Sequence, residues 1–349
     1  MSQSTMIKLD SCRIIDLGLH KNNKQAIYCM AASFGNHDYE ARFLTKTFRR
    51  ICMERQLHSS QFIKEQSFPF WIRRFFHDHD HVPLLHGHDF VELVYVVRGE
   101  AQHVFAGNHY EIRAGDVFII NPGEVHTYSI QPGKEIEIIN CLFLSDLIQG
   151  NWLLELGISQ SMDYFYVHPF LDKRERFHRR LNLNGQDATR TLLLLETIIN
   201  EFDSKYSGFE SLIRLQMVEL LILLSRAYQQ AEGQCGREPV RWNSKQLLVR
   251  RIYGYLERYY DKKVSIPVLC ELFTISPRQL NRVFKEALGM TVVNMIHQIR
   301  IERAKHLLLE TDEKVITIAG KVGYEDPAFF SRLFHRQVGC SPGKYRELS

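Results

Sequence analysis

Two sets of side chains in this 349-residue sequence have the types and spacing to do chemistry. The first is His86-x-His88, with Glu92 four residues on and His126 further along. Imidazoles and a carboxylate at this density either ligate a first-row transition metal or hydrogen-bond a polar small molecule. The second set is a pair of arginines, Arg282 and Arg332, in register within a repeated segment. A guanidinium can bridge guanine O6 and N7 with two hydrogen bonds, so such a pair is suited to reading two stretches of duplex DNA.

The arginines sit in residues 276–291 and 326–341, where Pro277, Arg282, Phe284 and Gly289 match Pro327, Arg332, Phe334 and Gly339. An internal repeat of this kind signals two copies of one supersecondary unit. Ser276 and Asp326 are N-cap types, and Gln279 completes a capping box with Ser276. The prolines fall at the first helical position, and the glycines provide left-handed stops. At 100° per residue, Leu280, Val283, Phe284 and Leu288 face one side, with Arg278, Arg282 and Lys285 on the other. In the second copy Phe330, Leu333 and Phe334 face inward, while Ala328, Arg332 and His335 face out. Upstream, Ala319 and Gly323 supply the small crossing residue and the turn residue of a helix-turn-helix. Cys270 and Thr274 stand in those places before the first copy, and Thr274 in place of glycine predicts a less tight turn there.

Between the copies, Val292 to Glu310 lacks Gly and Pro and predicts a helix of roughly 27 Å, near the ~34 Å of one DNA turn. Charge follows the same division. Residues 241–349 hold 19 Lys+Arg against 11 Asp+Glu, a balance of +8, while the other 240 residues hold 25 against 29, a balance of −4. A basic C-terminal third suits phosphate attraction at one end of the chain. Arg282 and Arg332 are the candidate base readers, with further DNA contacts from Arg278, Asn281, Lys285, Ala328, Phe329 and His335. Lys262, Lys263, Lys314 and Lys344, along with Lys285, read as phosphate contacts. Residues 244–349 resemble the DNA-binding domain of the AraC/XylS family of bacterial regulators. The resemblance rests on R-I-E-R-A-K-H-L-L from Arg300, I-A-G-K-V-G-Y-E-D from Ile318, F-F-S-R-L-F from Phe329 and G-C-S-P-G-K-Y-R from Gly339.

The histidines and Glu92 lie in a stretch, Phe68 to Leu144, of short apolar strands separated by turn signals. F-V-E-L-V-Y-V-V is expected to end at Arg98-Gly99, with a hairpin following that turns at Gly107-Asn108. Many short antiparallel strands predict a small barrel or jelly roll. The order His86, His88, Glu92, Gly99, then Gly115, Pro122, Gly123 and His126 resembles the two cupin motifs. Asp80 and Asn121 depart from their usual glycine and proline. Side chains at even strand offsets share a face, so His86, His88 and Glu92 are expected to converge inside the barrel, with His126 joining from a later strand. The leading reading is a sugar or related polar metabolite held by His86, His88, Glu92, Tyr95, His126 and Tyr128. A metal on His86, His88, Glu92 and His126 is the minor alternative, and no cofactor is expected.

Two helical runs follow, about 186–205 and 209–229. Leu192, Leu193, Leu195, Ile198 and Ile199 are expected to face Leu212, Leu215, Leu220, Leu221 and Leu224, with surplus apolar surface forming a dimer contact. Residues 1–60 form an extension of unassigned role, with an amphipathic helix expected near 39–56. The remaining divisions are a barrel at 61–150, a helical dimerisation region at 151–230, a linker at 231–243 and the double helix-turn-helix at 244–349. The fold class is α+β multidomain: a cupin-like jelly-roll barrel with a helical hairpin, then an all-α reader. The seven scattered cysteines contain no C-x-x-C, which fits a reducing cytoplasm without disulfides or a zinc knuckle. No run reads as a signal peptide or membrane span.

The reading is therefore a one-component, non-enzymatic regulator whose binding to double-stranded DNA responds to a carbohydrate-related effector. A homodimer is expected, and RNA polymerase is a candidate partner. The rivals are a metal-dependent cupin enzyme carrying a DNA-binding tail and an architectural DNA binder that senses nothing.

Overall fold

The run Val91–Phe105 has apolar side chains at both parities, so as a strand it must be covered on both faces. The computed structural model, which describes residues 55–65, 67–105, 108–148, 161–170, 181–234 and 244–347, shows how this is done. The strands are β1 (Arg55–Leu57), β2 (Phe70–Asp78), β3 (His86–His88), β4 (Val91–Phe105), β5 (Asn108–Arg113), β6 (Asp116–Ile120), β7 (His126–Ser129), β8 (Glu135–Phe143) and β9 (Leu181–Asn182). The first half of β4 pairs with β6 and β8, and its second half pairs with β5 and β7. One long strand thus belongs to both walls of a curled half-barrel.

This corrects the expected strand end at Gly99. The strand continues through a register shift between Val96 and Arg98. Gly99 then takes φ +84°, with an added Cβ falling 2.1 Å from the Glu135 carbonyl oxygen. Only glycine permits that bend. The hairpin register is also shifted by one: Asn108 already pairs with Phe105 rather than occupying the turn. Arg55–Leu57 is a strand parallel to β3, not the end of a helix, and the rest of the helix expected near 39–56 lies outside the described residues.

Alternation sorts the two faces. Val94, Val96, Phe118, Ile120, Ile136 and Ile138 fill the barrel. Val91, Leu93, Tyr95, Val117, Ile119, Ile139, Cys141 and Phe143 face outward, under helices. These helices are α1 (Asp163–Tyr166), α2 (Gly185–Ser204) and α3 (Phe209–Gln234). Leu195 and Ile198 of α2 and Leu220, Leu221 and Leu224 of α3 are buried as expected. Leu193, Leu212 and Leu215 are not part of that seam, being 59%, 43% and 55% exposed. Helix α3 also runs on to Gln234, into the stretch read as linker, and residues 235–243 lie outside the described set.

The C-terminal helices are α4 (Ser244–Arg258), α5 (Ile266–Leu272), α6 (Pro277–Leu288), α7 (Val292–Glu310), α8 (Val315–Lys321), α9 (Pro327–Val338) and α10 (Pro342–Glu347). The caps form as the sequence predicts. Ser276 and Gln279 make a reciprocal capping box, and Asp326 accepts from the Ala328 amide at 2.8 Å. Gly289 and Gly339 close the helices at φ +71° and +88°. Leu280, Val283 and Phe284 are buried, but Leu288 at the last helical position is 38% exposed and not part of the core. Thr274 does not loosen its turn. It takes the left-handed conformation at φ +51°, as Gly323 does at φ +87°, and accepts the strain that a β-branched residue carries there.

Candidate functional site

Strand β3 holds His86 and His88 on one edge, opposite His126 of β7, while Glu92 reaches in from β4. All four side chains are buried. The Glu92 Oε2 atom lies 3.2 Å from both His88 Nε2 and His126 Nε2. A ring nitrogen of His86 falls, with the donors of Glu92 and His126, inside a group spanning no more than 4.8 Å. The outer sides of these groups are engaged. The Nδ1–H of His86 donates to the Leu84 carbonyl and that of His88 to the Phe90 carbonyl, both at 2.8 Å. The Nδ1 of His126 lies 3.2 Å from His103 Nε2, and Asn140 Nδ2 donates to Glu92 Oε1 at 2.7 Å.

Burial alone would raise the Glu92 carboxyl, but the hydrogen bonds and charges of His126 and His88 outweigh it and hold it well below its usual range. Burial, reinforced by His126, pushes His86 down to about 4, so its ring is neutral at pH 7. Tyr128 also faces inward, and burial pushes its hydroxyl well above the ordinary tyrosine value. Tyr95 does not join them. It is three positions from Glu92, hence on the opposite strand face, and its hydroxyl donates to the Ala188 carbonyl beneath α2. Its expected place among the pocket residues is corrected on that ground.

Beside the cluster, a cavity of about 20 Å³ is lined by His103, Phe105, Tyr110, Phe118, Ile120 and His168 among others. That is room for a water molecule, not for a sugar. His103 and Asn140 were missed from the sequence because neither belongs to a recognisable spacing. Their strand parity relative to Glu92 and His126 becomes informative only once the register is known.

On the C-terminal domain, Arg278, Arg282 and Lys285 of α6 and Ala328, Phe329, Arg332 and His335 of α9 are exposed. Asn281 is half-buried and its amide donates to the Pro277 carbonyl at 3.2 Å. Helix α7 separates the two exposed faces with 19 residues, roughly 27 Å. Lys262 is not available as a phosphate contact: it pairs with Asp146 of the barrel domain at 2.8 Å and with Asp261 at 3.2 Å.

Residues 71–198 match the family model of the AraC-like ligand binding domain, and residues 269–348 match a helix-turn-helix domain. The chain belongs to the AraC family. This AraC-family regulator is 29% identical over 265 residues to the HTH-type transcriptional activator RhaR of Enterobacter sp. (strain 638), covering 76% of this chain and 87% of that protein. It is 28% identical over 267 residues to RhaS of the same strain, with 75% and 87% covered. Among solved structures, the C-terminal domain of AraT from Geobacillus stearothermophilus is 31% identical, covering 31% of this chain and 88% of that one, with a TM-score of 0.29. The regulator thus joins a ligand-binding domain to a DNA-binding domain in one chain. Among the described residues no helix is long and apolar enough to cross a membrane.

The two domains of the regulator are in contact. Arg251 of α4 makes a bidentate pair with Asp163 of α1 at 2.6 and 2.8 Å. Tyr259 donates to the Ile148 carbonyl at 2.7 Å, and Arg258 stacks over Phe165 at 4.3 Å. Gly254 lets the helices touch, since a Cβ there would sit 1.6 Å from the Tyr166 oxygen. A second contact starts near the histidines: the Gly123 amide donates to the His88 carbonyl at 2.7 Å, and Arg303 of α7 donates to the neighbouring Pro122 carbonyl at 3.3 Å.

Proposed function

We propose that this protein activates transcription as a homodimer, with Arg282 and Arg332 reading base edges in successive major-groove segments. Arg278, Asn281, Lys285, Ala328, Phe329 and His335 add contacts around them. The observation that carries this reading is the pair of capped helices with exposed arginines at matched positions, spaced by one uninterrupted helix. Activation, rather than repression, is supported by the names of the relatives RhaR and RhaS. The exposed Leu193, Leu212 and Leu215 on the α2–α3 hairpin support a second copy as the partner there, and RNA polymerase is the partner expected at the promoter. The protein acts in the cytoplasm and catalyses no reaction.

The effector in this reading is a polyhydroxyl, carbohydrate-like molecule at the His86, His88, Glu92, His126 and Tyr128 end of the barrel. Because the barrel is already packed, such a molecule enters only by displacing side chains around the cluster. The loop 121–124, hydrogen-bonded to His88 on one side and to Arg303 of α7 on the other, would move with them. Effector binding then favours one arrangement of barrel and reader, a shift of population between states.

Footprinting on genomic fragments tests the DNA reading. Arg332→Ala and Arg282→Ala are each expected to weaken operator binding by ~1–3 kcal/mol and to relax base preference at one position. Protection over the width of one module, or unchanged discrimination in both variants, would remove these arginines as readers.

A further inference from the structure

We propose that Arg300 of α7 is a positioning residue that fixes the two recognition helices relative to each other, so that the spacing of the two DNA segments is itself read. The assignment rests on the two-groove reading above. Helix α7 alone sets a distance between the modules but not their tilt or rotation about its axis, because its two halves belong to different cores. Val292, Met295, Ile296 and Ile299 are buried with the first module, whereas Ile301, Ala304 and Leu308 are buried with the second. Arg300 stands at the seam between them. Two cores joined along one helix move against each other by default unless contacts cross the seam.

The crossing contacts converge on Arg300, which is 9% exposed. Its Nε–H donates to the Tyr260 carbonyl at 2.7 Å and an Nη2–H donates to the Lys262 carbonyl at 2.8 Å. Both carbonyls belong to the turn between α4 and α5, which leads into the first module. The same guanidinium lies 5.1 Å from the centre of the Tyr324 ring, in the turn between α8 and α9 of the second module. One side chain therefore holds a turn from each module. The backbone is fitted to this junction: a Cβ on Gly323 would lie 2.9 Å from Arg300 Nη2 and 2.8 and 2.9 Å from the Tyr260 and Asp261 carbonyl oxygens. Tyr260 packs against both cores, and the Tyr324 hydroxyl lies 3.0 Å from Nδ1 of His297, on the first-module half of α7. A planar fork with a stacking face suits this place, and the compact ammonium of a lysine does not reproduce it. Turning one module on the other would strand two carbonyls and a largely buried charge.

One base pair inserted between the two bound segments moves the second about 3.4 Å along the duplex and about 35° around it. Clamped modules cannot follow, so one of them loses its base contacts. The test uses full-length protein and a site selected from random-sequence duplexes. Companion duplexes carry one base pair more or fewer between the segments that the two modules protect. The wild type is expected to bind the altered duplexes about tenfold more weakly or worse. Arg300→Met should bind the selected site more weakly than the wild type, yet show a spacing penalty below about threefold, with hydroxyl-radical protection over both modules retained. The penalty is a ratio between two duplexes, so a general loss of stability, which lowers the active fraction for both, cancels from it. Where the methionine variant does not fold, Arg300→Lys takes its place, keeping the charge without the fork, and an intermediate penalty is expected. A wild type indifferent to the extra base pair, or an unchanged penalty in the folded variant, overturns the assignment and leaves the readers standing. Failure to select any site that both modules protect would remove the two-groove reading and this assignment with it.

Discussion

The two helix-turn-helix modules share a sequence pattern but not an environment. The first, α5–α6, packs through α4 into one continuous apolar cluster with the outer face of the barrel and with α1 and α3. The second, α8–α9, has its own core with the far half of α7, built on Phe330, Leu333 and Phe334. The matched phenylalanines Phe284 and Phe334 are both fully buried, yet one belongs to a core that reaches the sensor and the other does not. Repetition of a motif therefore does not imply equal sensitivity to the effector domain. The first module is placed to respond to the barrel's outer face. The second is reached through α7, by way of Arg300, which donates to the Tyr260 and Lys262 carbonyls, and of Arg303.

The largest test of this contrast compares Phe284→Ala with Phe334→Ala. Each should cost ~3–5 kcal/mol in its own core. Native-state hydrogen exchange should show loss of protection in α1 and β8 for Phe284→Ala only, while Phe334→Ala opens α8–α10 and spares the barrel. Equal losses across the barrel would show that the two cores are one cooperative unit.

A smaller effect is expected at the latch between α1 and α4. Arg251→Met leaves the largely buried Asp163 with Gln229, at 3.3 Å, as its side-chain partner among the described residues, and should cost about 1–3 kcal/mol. The loss should register as faster exchange in α1 and α4, with α9 unaffected. Unchanged exchange at α1 would mean that the apolar contacts around Gly254 hold the domains without the ion pair.

The smallest effect concerns the turns. Thr274→Gly should stabilise the first module by about 0.5–1 kcal/mol, since glycine adopts φ +51° without strain. Gly323→Ala should be destabilising by more than that, because its Cβ would lie 2.8 and 2.9 Å from the Tyr260 and Asp261 carbonyl oxygens. Thermal melts of both variants decide this. A destabilised Thr274→Gly would show that the threonine side chain supplies a contact that outweighs its backbone strain.

Much of the reader was legible from local signals. Ser276, Gln279, Asp326, Gly289 and Gly339 act within a few residues of themselves, so their capping roles depend on no distant partner. The grouping of His86, His88, Glu92 and His126 was legible from their spacing and the cupin resemblance, but not from the shared strand face expected for the first three, because His86 and His88 lie on β3 and Glu92 on β4. Parity excludes Tyr95, because a residue three positions from Glu92 turns away from it. What local signals could not supply was register. Asn140 meets Glu92, and His103 meets His126, through pairings set by which strands lie side by side. The passage of β4 through Gly99 was likewise hidden, because Arg-Gly reads as a turn unless Glu135 and Ile136 are known to lie alongside.

The sequence by itself determined the periodicities, caps and stops, and through them the helices of both modules and the inward face of each strand. These follow from backbone stereochemistry and the period of side-chain direction, which are properties of short segments. Only the tertiary structure decided which core each module joins, that Lys262 is tied to Asp146 rather than free for a phosphate, and that His88 and His126 both approach one oxygen of Glu92. Those depend on residues tens to hundreds of positions apart, brought together by burial that no single segment could complete alone.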